Sequence, residues 1–205
     1  MTVRLNGEAS KTVLLDVDGT LCANTPRLIE YVRQECGIEL AREEITEWSF
    51  SIPGTDSDIG ELLHRAIDER PEWFLLGMAP IEGATEAARW LHNQGHTIRI
   101  ATHRPPESHP ITAQWLEEHD IPYDEMIQEV PRNKGLLAGD LLIDDYDVNV
   151  ANALAAGKAG GLFVQPYSDP SVCSSAVIAE DWSTMLSALG RKPQVAGEAD
   201  AEGHQ

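Results

Sequence analysis

The sequence predicts an α/β protein, a mostly parallel sheet with helices on both faces. Two observations carry the prediction. Short apolar runs recur at residues 11–17, 97–101, 141–143 and 161–165, each closed by a polar residue or glycine. Runs of that length read as buried strands. Between them, residues 26–36, 84–93, 110–119 and 148–156 carry apolar side chains at helical spacing. Strands alternating with helices build a parallel sheet covered on both sides. A third observation adds direction. Polar residues gather at the ends of these runs, where open parallel sheets bind ligands.

Each element has its own signals. Residues 1–10 are a lead-in without pattern. The strand at 11–17 runs through Val13-Leu14-Leu15 into Asp16-Val17-Asp18-Gly19-Thr20-Leu21. The helix at 26–36 begins on Thr25-Pro26, since proline suits a first helical turn. It carries Leu28, Ile29, Val32 and Cys36, and Gly37 ends it. Residues 41–48 predict a short helix, and 49–58 a loop rich in turn formers. A second amphipathic helix at 59–68 is interrupted by Arg70-Pro71, ahead of Glu72-Trp73-Phe74-Leu75-Leu76. Residues 25–78 thus form a small helical insertion after the first strand. Gly95 closes the helix at 84–93, and Gly157 the one at 148–156. Residues 124–128 are a short strand or turn. Asp181 caps a last helix at 181–189. The predicted organisation is an α/β core from 1–24 and 79–189, the insertion 25–78, and a disordered tail 190–205 without hydrophobic pattern.

The charge balance narrows the partners. Thirty-four acidic residues face 15 basic ones, for a net charge of −19, and 42% of residues are hydrophobic. That composition supports a packed core and repels nucleic-acid backbones and anionic membranes. The expected partner is a small molecule, with no nucleic acid, no membrane, and a monomer or homodimer as the assembly. Such acidity suits high ionic strength, where salt screens self-repulsion, and predicts a salt-loving source. Cys22, Cys36 and Cys173 show no metal-ligand spacing and read as reduced thiols in a cytoplasmic protein. No apolar run is long enough to cross a membrane. His64, His92, His96 and His119 read as surface residues.

Asp16 and Asp18 are the first candidates for chemistry. Residues two apart on a strand share a face, and Gly19 lets the chain turn away at once. An acid directly after three apolar residues is costly unless it is paired or binds a cation. Three further polar groups follow at the same sheet edge. Thr102 ends the second strand, with His103 and Arg104 behind it. Lys134 stands ten residues before Asp144, and Asp144-Asp145 ends the strand at 141–143. Adjacent acids repel unless a cation or donors compensate.

An Asp-x-Asp loop, then a threonine, a lysine and an acidic pair, in that order, resembles the haloacid dehalogenase-like phosphatases. The resemblance runs from Val13 to about Val164 and implies a Rossmann-like core with a helical cap at 25–78. Asn133-Lys134-Gly135 followed by Asp140-Leu141-Leu142-Ile143-Asp144-Asp145 is similar to the 5′(3′)-deoxyribonucleotidase branch. So are Ile45-Thr46-Glu47-Trp48-Ser49-Phe50 and the run from Thr112 to Asp124. Two positions depart from that branch: His103 stands where a serine is usual, and Tyr146 where an arginine is usual.

The resemblance implies phosphomonoester hydrolysis. Asp16 is the nucleophile that forms an aspartyl-phosphate, and Asp18 is the general acid and then base. Mg²⁺, a hard cation suited to oxygen ligands, is held by Asp16, the Asp18 carbonyl and Asp144 or Asp145. Thr102 and Lys134 bind the phosphoryl group, with backbone N–H groups of the Asp18-Gly19-Thr20 turn. In the insertion Trp48, Phe50, Trp73 and Phe74 are candidates to stack on a nucleobase, although aromatics there equally build a core. His103 and Arg104 are candidates for a substrate anion. A nucleotide is the expected substrate. A phosphosugar, or a noncatalytic phosphate sensor on the same fold, are the alternatives.

Overall fold

The computed structural model describes Leu5 and residues 9–190. Most of the predicted lead-in and, apart from Gly190, the predicted tail lie outside the described residues. Six strands form one sheet: β1 (Thr12–Leu15), β2 (Thr97–Ile100), β3 (Glu125–Met126), β4 (Leu141–Asp144), β5 (Ala159–Phe163) and β6 (Val177–Ala179). Their order is β3-β2-β1-β4-β5-β6, and every pair is parallel. The sequence reading misses β6, three residues at the sheet edge beyond a serine-rich stretch. It places the preceding strand two residues late.

The centre of the sheet follows from period-two alternation. Val13 and Leu15 of β1 and Leu141 and Ile143 of β4 face the larger buried cluster, while Leu14 and Leu142 face the smaller one with Ala101, Ile127 and Ala153. β1 and β4 pair Leu15 with Ile143, and the Asp16 N–H donates to the Ile143 carbonyl at 3.0 Å. Asp16 and Asp144 therefore emerge side by side at the carboxyl edge. Both continue the parity of Leu14 and Leu142.

After β1 come α1 (Asn24–Cys36), α2 (Ile59–Glu69) and α3 (Pro71–Leu76). Asp58 caps α2 through a reciprocal box with Glu61, and Pro71 opens α3. The helix expected at 41–48 shrinks to a single 3-10 turn, Arg42–Glu44. There the Glu44 carboxylate folds back on the Ala41 N–H at 2.6 Å, and β-branched Ile45 and Thr46 favour leaving the helix. The apolar faces of these helices do not close on themselves. Leu28, Tyr31, Leu62, Ala66, Phe74 and Leu75 belong to the same buried cluster as Val13 and Ile100. The remaining helices are α4 (Ala84–Asn93), α5 (His109–Glu118), α6 (Asp147–Ala155) and α7 (Trp182–Leu189). His96 corrects the surface assignment: it is 3% exposed, with Nδ1 accepting the Lys11 N–H at 3.2 Å. Among the described residues no helix is long and apolar enough to cross a membrane.

Candidate active site

A cavity of about 230 Å³ opens at the carboxyl ends of β1, β2 and β4. Asp16, Asp18, Thr102, His103, Arg104, Lys134, Asp144 and Asp145 all line it, from four separate stretches of chain, and Trp48 lines it from the insertion.

The floor is an ionic network. Lys134, at the start of a 3-10 turn that packs on α6, is 1% exposed. Its Nζ donates to Asp16 Oδ1 at 2.9 Å and to Asp144 Oδ2 at 2.6 Å. The shared parity of the two aspartates allows one ammonium to reach both. Despite burial, Asp144 and Asp16 together hold that ammonium firmly in its charged form. Asp144 has no spare oxygen. Its carboxylate also takes the Tyr146 N–H at 2.9 Å and the Asn149 amide at 3.1 and 3.2 Å.

Asp16 and Asp145 are different. Among the described residues Asp16 Oδ2 and Asp145 Oδ1 accept no hydrogen bond. One ligand atom each from Asp16, Asp144 and Asp145 lie within 4.8 Å of one another, all three residues buried. Burial pushes the Asp16 carboxyl up to about 7, against the pull of Lys134 and with a further push from Asp144 and Asp18. Burial, then Asp16 and Asp144, drive Asp145 well above the usual carboxylate range. Two of the three clustered carboxylates share one ammonium, and Asp16 and Asp145 each keep one oxygen that, among the described residues, meets no donor. That is a donor set suited to an oxygen-seeking cation such as Mg²⁺.

Asp18 is held otherwise. Arg104 forks onto it, Nε to Oδ2 and a terminal nitrogen to Oδ1, both at 2.8 Å. Burial would raise the Asp18 pKa, but the guanidinium outweighs it and leaves the carboxyl below its usual value. Arg104 is itself fixed by Thr112 Oγ1 at 3.1 Å, and its side chain is 1% exposed against 22% for Asp18. Its position next to the strand-end threonine is legible in the sequence; its partner is not. Thr102 Oγ1 accepts the Arg104 N–H at 3.1 Å, which leaves the hydroxyl proton to point elsewhere. His103 places Nε2 3.1 Å from the Pro131 carbonyl, and burial lowers its pKa.

The glycine turn corrects one expectation. Gly19, at φ +71°, donates its N–H to the Cys22 carbonyl at 2.9 Å, and the Thr20 N–H turns to Val17 at 3.4 Å. Neither residue lines the cavity, and Thr20 is buried under the Trp182 indole, which donates to its carbonyl at 3.0 Å. Among the described residues the N–H groups of Val17 and Asp18 find no backbone acceptor, so these are the donors the turn leaves open.

The insertion corrects another. Trp48 lines the cavity with Leu63, His64 and Ile67, but Phe50, Trp73 and Phe74 do not. Phe74 is fully buried in the main core. Trp73 is clasped between the guanidiniums of Arg27 and Arg70, 3.6 and 3.8 Å from its ring centroid. Phe50 packs against the main core. Of the three only Phe74 is carried into the shared core by a helix, α3, and the sequence alone does not distinguish that core from the cavity.

Three residues absent from the sequence reading complete the site. Asn149 was within reach, five residues beyond Asp144 in the first turn of the next helix. Asn24 is 1% exposed and lines the cavity, and among the described residues its amide nitrogen has no partner. Tyr167 donates its hydroxyl to Asp145 Oδ2, a contact across 22 residues that no local pattern announces.

Comparison with known proteins agrees with this geometry. Residues 10–186 match the family described as 5′ nucleotidase, deoxy (pyrimidine), cytosolic type C protein. A curated protein of Chlorobaculum tepidum, provisionally named a 5′(3′)-deoxyribonucleotidase, is 30% identical over 153 residues, covering 70% of this chain and 73% of the relative. A haloacid dehalogenase-like family hydrolase from Streptococcus pneumoniae superposes with a TM-score of 0.64 at 14% identity, over 87% of this chain and 97% of that one. A HAD-superfamily hydrolase of subfamily IA from Geobacter sulfurreducens gives 0.57 at 19% identity, over 92% and 100%. The last two establish likeness of fold. With the nearly chain-long family match, they lead to one statement: the chain belongs to the 5′ nucleotidase, deoxy (pyrimidine), cytosolic type C family and is a phosphatase on the haloacid dehalogenase-like fold.

Proposed function

We propose that this phosphatase is a Mg²⁺-dependent nucleoside 5′-monophosphatase acting through a phosphorylated Asp16. The observation that carries the proposal is the state of Asp16. It is a buried carboxylate on the cavity floor, with one oxygen on Lys134 and the other free. The open Val17 and Asp18 N–H groups stand beside it in the chain, suited to a phosphoryl oxygen.

Asp16, Asp145 and the Asp18 carbonyl would hold the cation, because Asp144 has spent both oxygens on Lys134, Asn149 and the Tyr146 N–H. The cation supplies charge neutralisation where an anionic carboxylate meets an anionic phosphoryl group. A carboxylate oxygen of Asp16 attacks phosphorus, and the bond from phosphorus to the ester oxygen breaks. Asp18 gives the leaving oxygen a proton. Water then attacks the phosphorylated Asp16, loses a proton to Asp18, and phosphate departs. The Arg104 fork favours the carboxylate form of Asp18, which is the form the second step needs. To serve as acid Asp18 must leave Arg104, and it is the more exposed partner. Lys134 stays charged and offsets the phosphoryl charge, and the Thr102 hydroxyl donates to a phosphoryl oxygen.

The wall opposite, Trp48, Leu63 and Ile67, offers apolar surface to a leaving group, and Asn24 offers an unspent donor. A nucleoside fits that combination, and the family description and the named relative support it. We also place the protein in the cytoplasm, with Cys22, Cys36 and Cys173 as free thiols.

The test is phosphate release from a panel of nucleoside monophosphates and sugar phosphates, with Mg²⁺ or EDTA, in low and molar salt. Metal-dependent release from nucleotides, lost in Asp16→Asn, supports the proposal. Release from sugar phosphates alone keeps the mechanism and discards the nucleotide. No release from a folded protein removes both.

A further inference from the structure

We propose that Tyr167 is a positioning residue for Asp145, and that the loop after β5 ties the insertion to the cation site. The inference rests on Asp145 as a cation ligand in the reading above. Nothing in the sequence marks this loop, Gln165 to Ser168, yet it touches the site at three points. The Tyr167 hydroxyl donates to Asp145 Oδ2. Ser168 Oγ donates to the Asp145 carbonyl at 2.7 Å. The Gln165 side-chain amide donates to the Gly19 carbonyl at 2.7 Å, which holds the turn that carries Asp16 and Asp18. Asp145 is thus gripped at its carboxylate and at its backbone by one loop, with Oδ1 left over.

The grip is tight enough to dictate a residue. A Cβ on Gly19 would collide with the Asp145 carboxylate and the Tyr167 hydroxyl. The φ of +71° there strains any other residue as well.

The same loop receives the insertion at two points. The Trp48 ring lies 4.8 Å from the Tyr167 ring, tilted by 47°. Arg42 donates to Gln165 Oε1 at 2.6 Å. Trp48 also lines the cavity, so a single aromatic pair joins the surface a leaving group meets to the acid that holds the cation. Core packing alone would account for a buried ring at position 167. It would not account for a hydroxyl aimed at Asp145, or for the second tie from Ser168. Partners that orient a ligating carboxylate typically change metal affinity by about 10–100-fold.

Calorimetric titration of Mn²⁺ into the full chain, without substrate, tests the proposal. Tyr167→Phe keeps the ring and removes the hydroxyl. It is expected to bind Mn²⁺ about 10–100-fold more weakly with an unchanged melting temperature. Ser168→Ala removes the second tie and is expected to weaken binding by a smaller factor, so the answer survives if Tyr167→Phe folds poorly. Trp48→Ala is expected to weaken binding several-fold, because it removes the ring that packs on Tyr167. Wild-type affinity in Tyr167→Phe or in Trp48→Ala overturns the proposal. Wild-type protein that binds no cation overturns it together with the cation reading. Cation binding that follows these expectations, in a protein that hydrolyses no nucleotide, supports this inference and overturns only the nucleotide assignment.

Discussion

The floor and the outer wall of the cavity hold their residues by different means. On the floor, Lys134 is shared by Asp16 and Asp144, and Arg104 is forked onto Asp18. On the wall, Trp48, Leu63 and Ile67 present apolar surface, and the neighbouring aromatics Trp73 and Phe74 are committed to packing. Buried charges cost several kcal/mol unless partnered, so the floor has few alternative arrangements. Apolar groups exchange neighbours at lower cost, so the wall is where a related chain could change its substrate without losing its chemistry.

Four substitutions can break or sharpen that contrast. Lys134→Met leaves Asp16 and Asp144 without their ammonium. Urea unfolding in EDTA should show a loss of about 3–5 kcal/mol, partly restored by Mg²⁺, and phosphate release should vanish. Retention of activity would mean that the floor is not one network.

Phe74→Ala should cost about 3–5 kcal/mol through the cavity it leaves in the shared core. The fraction that stays folded should keep wild-type kcat and KM. A changed KM would bring Phe74 back as a substrate contact.

Arg104→Gln strands Asp18, and because Asp18 is partly exposed the loss should be nearer about 2 kcal/mol. The sign with pH follows from the depressed Asp18 pKa. The stability that Arg104 contributes is present above the unfolded value of 3.8 and is lost as pH falls through the lower folded value. The gap in melting temperature between wild type and variant should therefore be full at pH 7 and close below about pH 4. A gap independent of pH would assign Arg104 to packing.

Asn24→Leu should have the smallest effect. It removes a buried donor that has no partner among the described residues, so stability should hold or rise by about 1 kcal/mol. KM for nucleotides should rise about 5–10-fold if the amide meets the leaving group, and an unchanged KM would leave Asn24 outside substrate binding.

Legibility followed the same divide. Asp16, Asp18, Thr102, Lys134 and the Asp144-Asp145 pair could be chosen in advance, because a short apolar run names its own end and strand ends face the ligand edge. All of them line one cavity. Phe50, Trp73 and Phe74 were left between stacking and packing, because an aromatic carries no sign of which neighbour it will meet. Gly19 and Thr20 were misjudged as donors because a tight turn consumes its own N–H groups. Arg104 was seen as a residue of the site but not as the partner of Asp18.

By itself the sequence determined the parallel α/β architecture, the polarity of its strands and the order in which acids, threonine and lysine reach one edge. These depend on periods of two and 3.6 residues and on turn chemistry, which are local. Only the tertiary structure decided the pairings: Lys134 with Asp16 across 118 residues, Arg104 with Asp18 across 86, and Tyr167 with Asp145 from a loop without a motif. A pairing depends on which side chains the closed sheet and the docked insertion bring within 3 Å, and on how burial then raises the cost of leaving any of them alone.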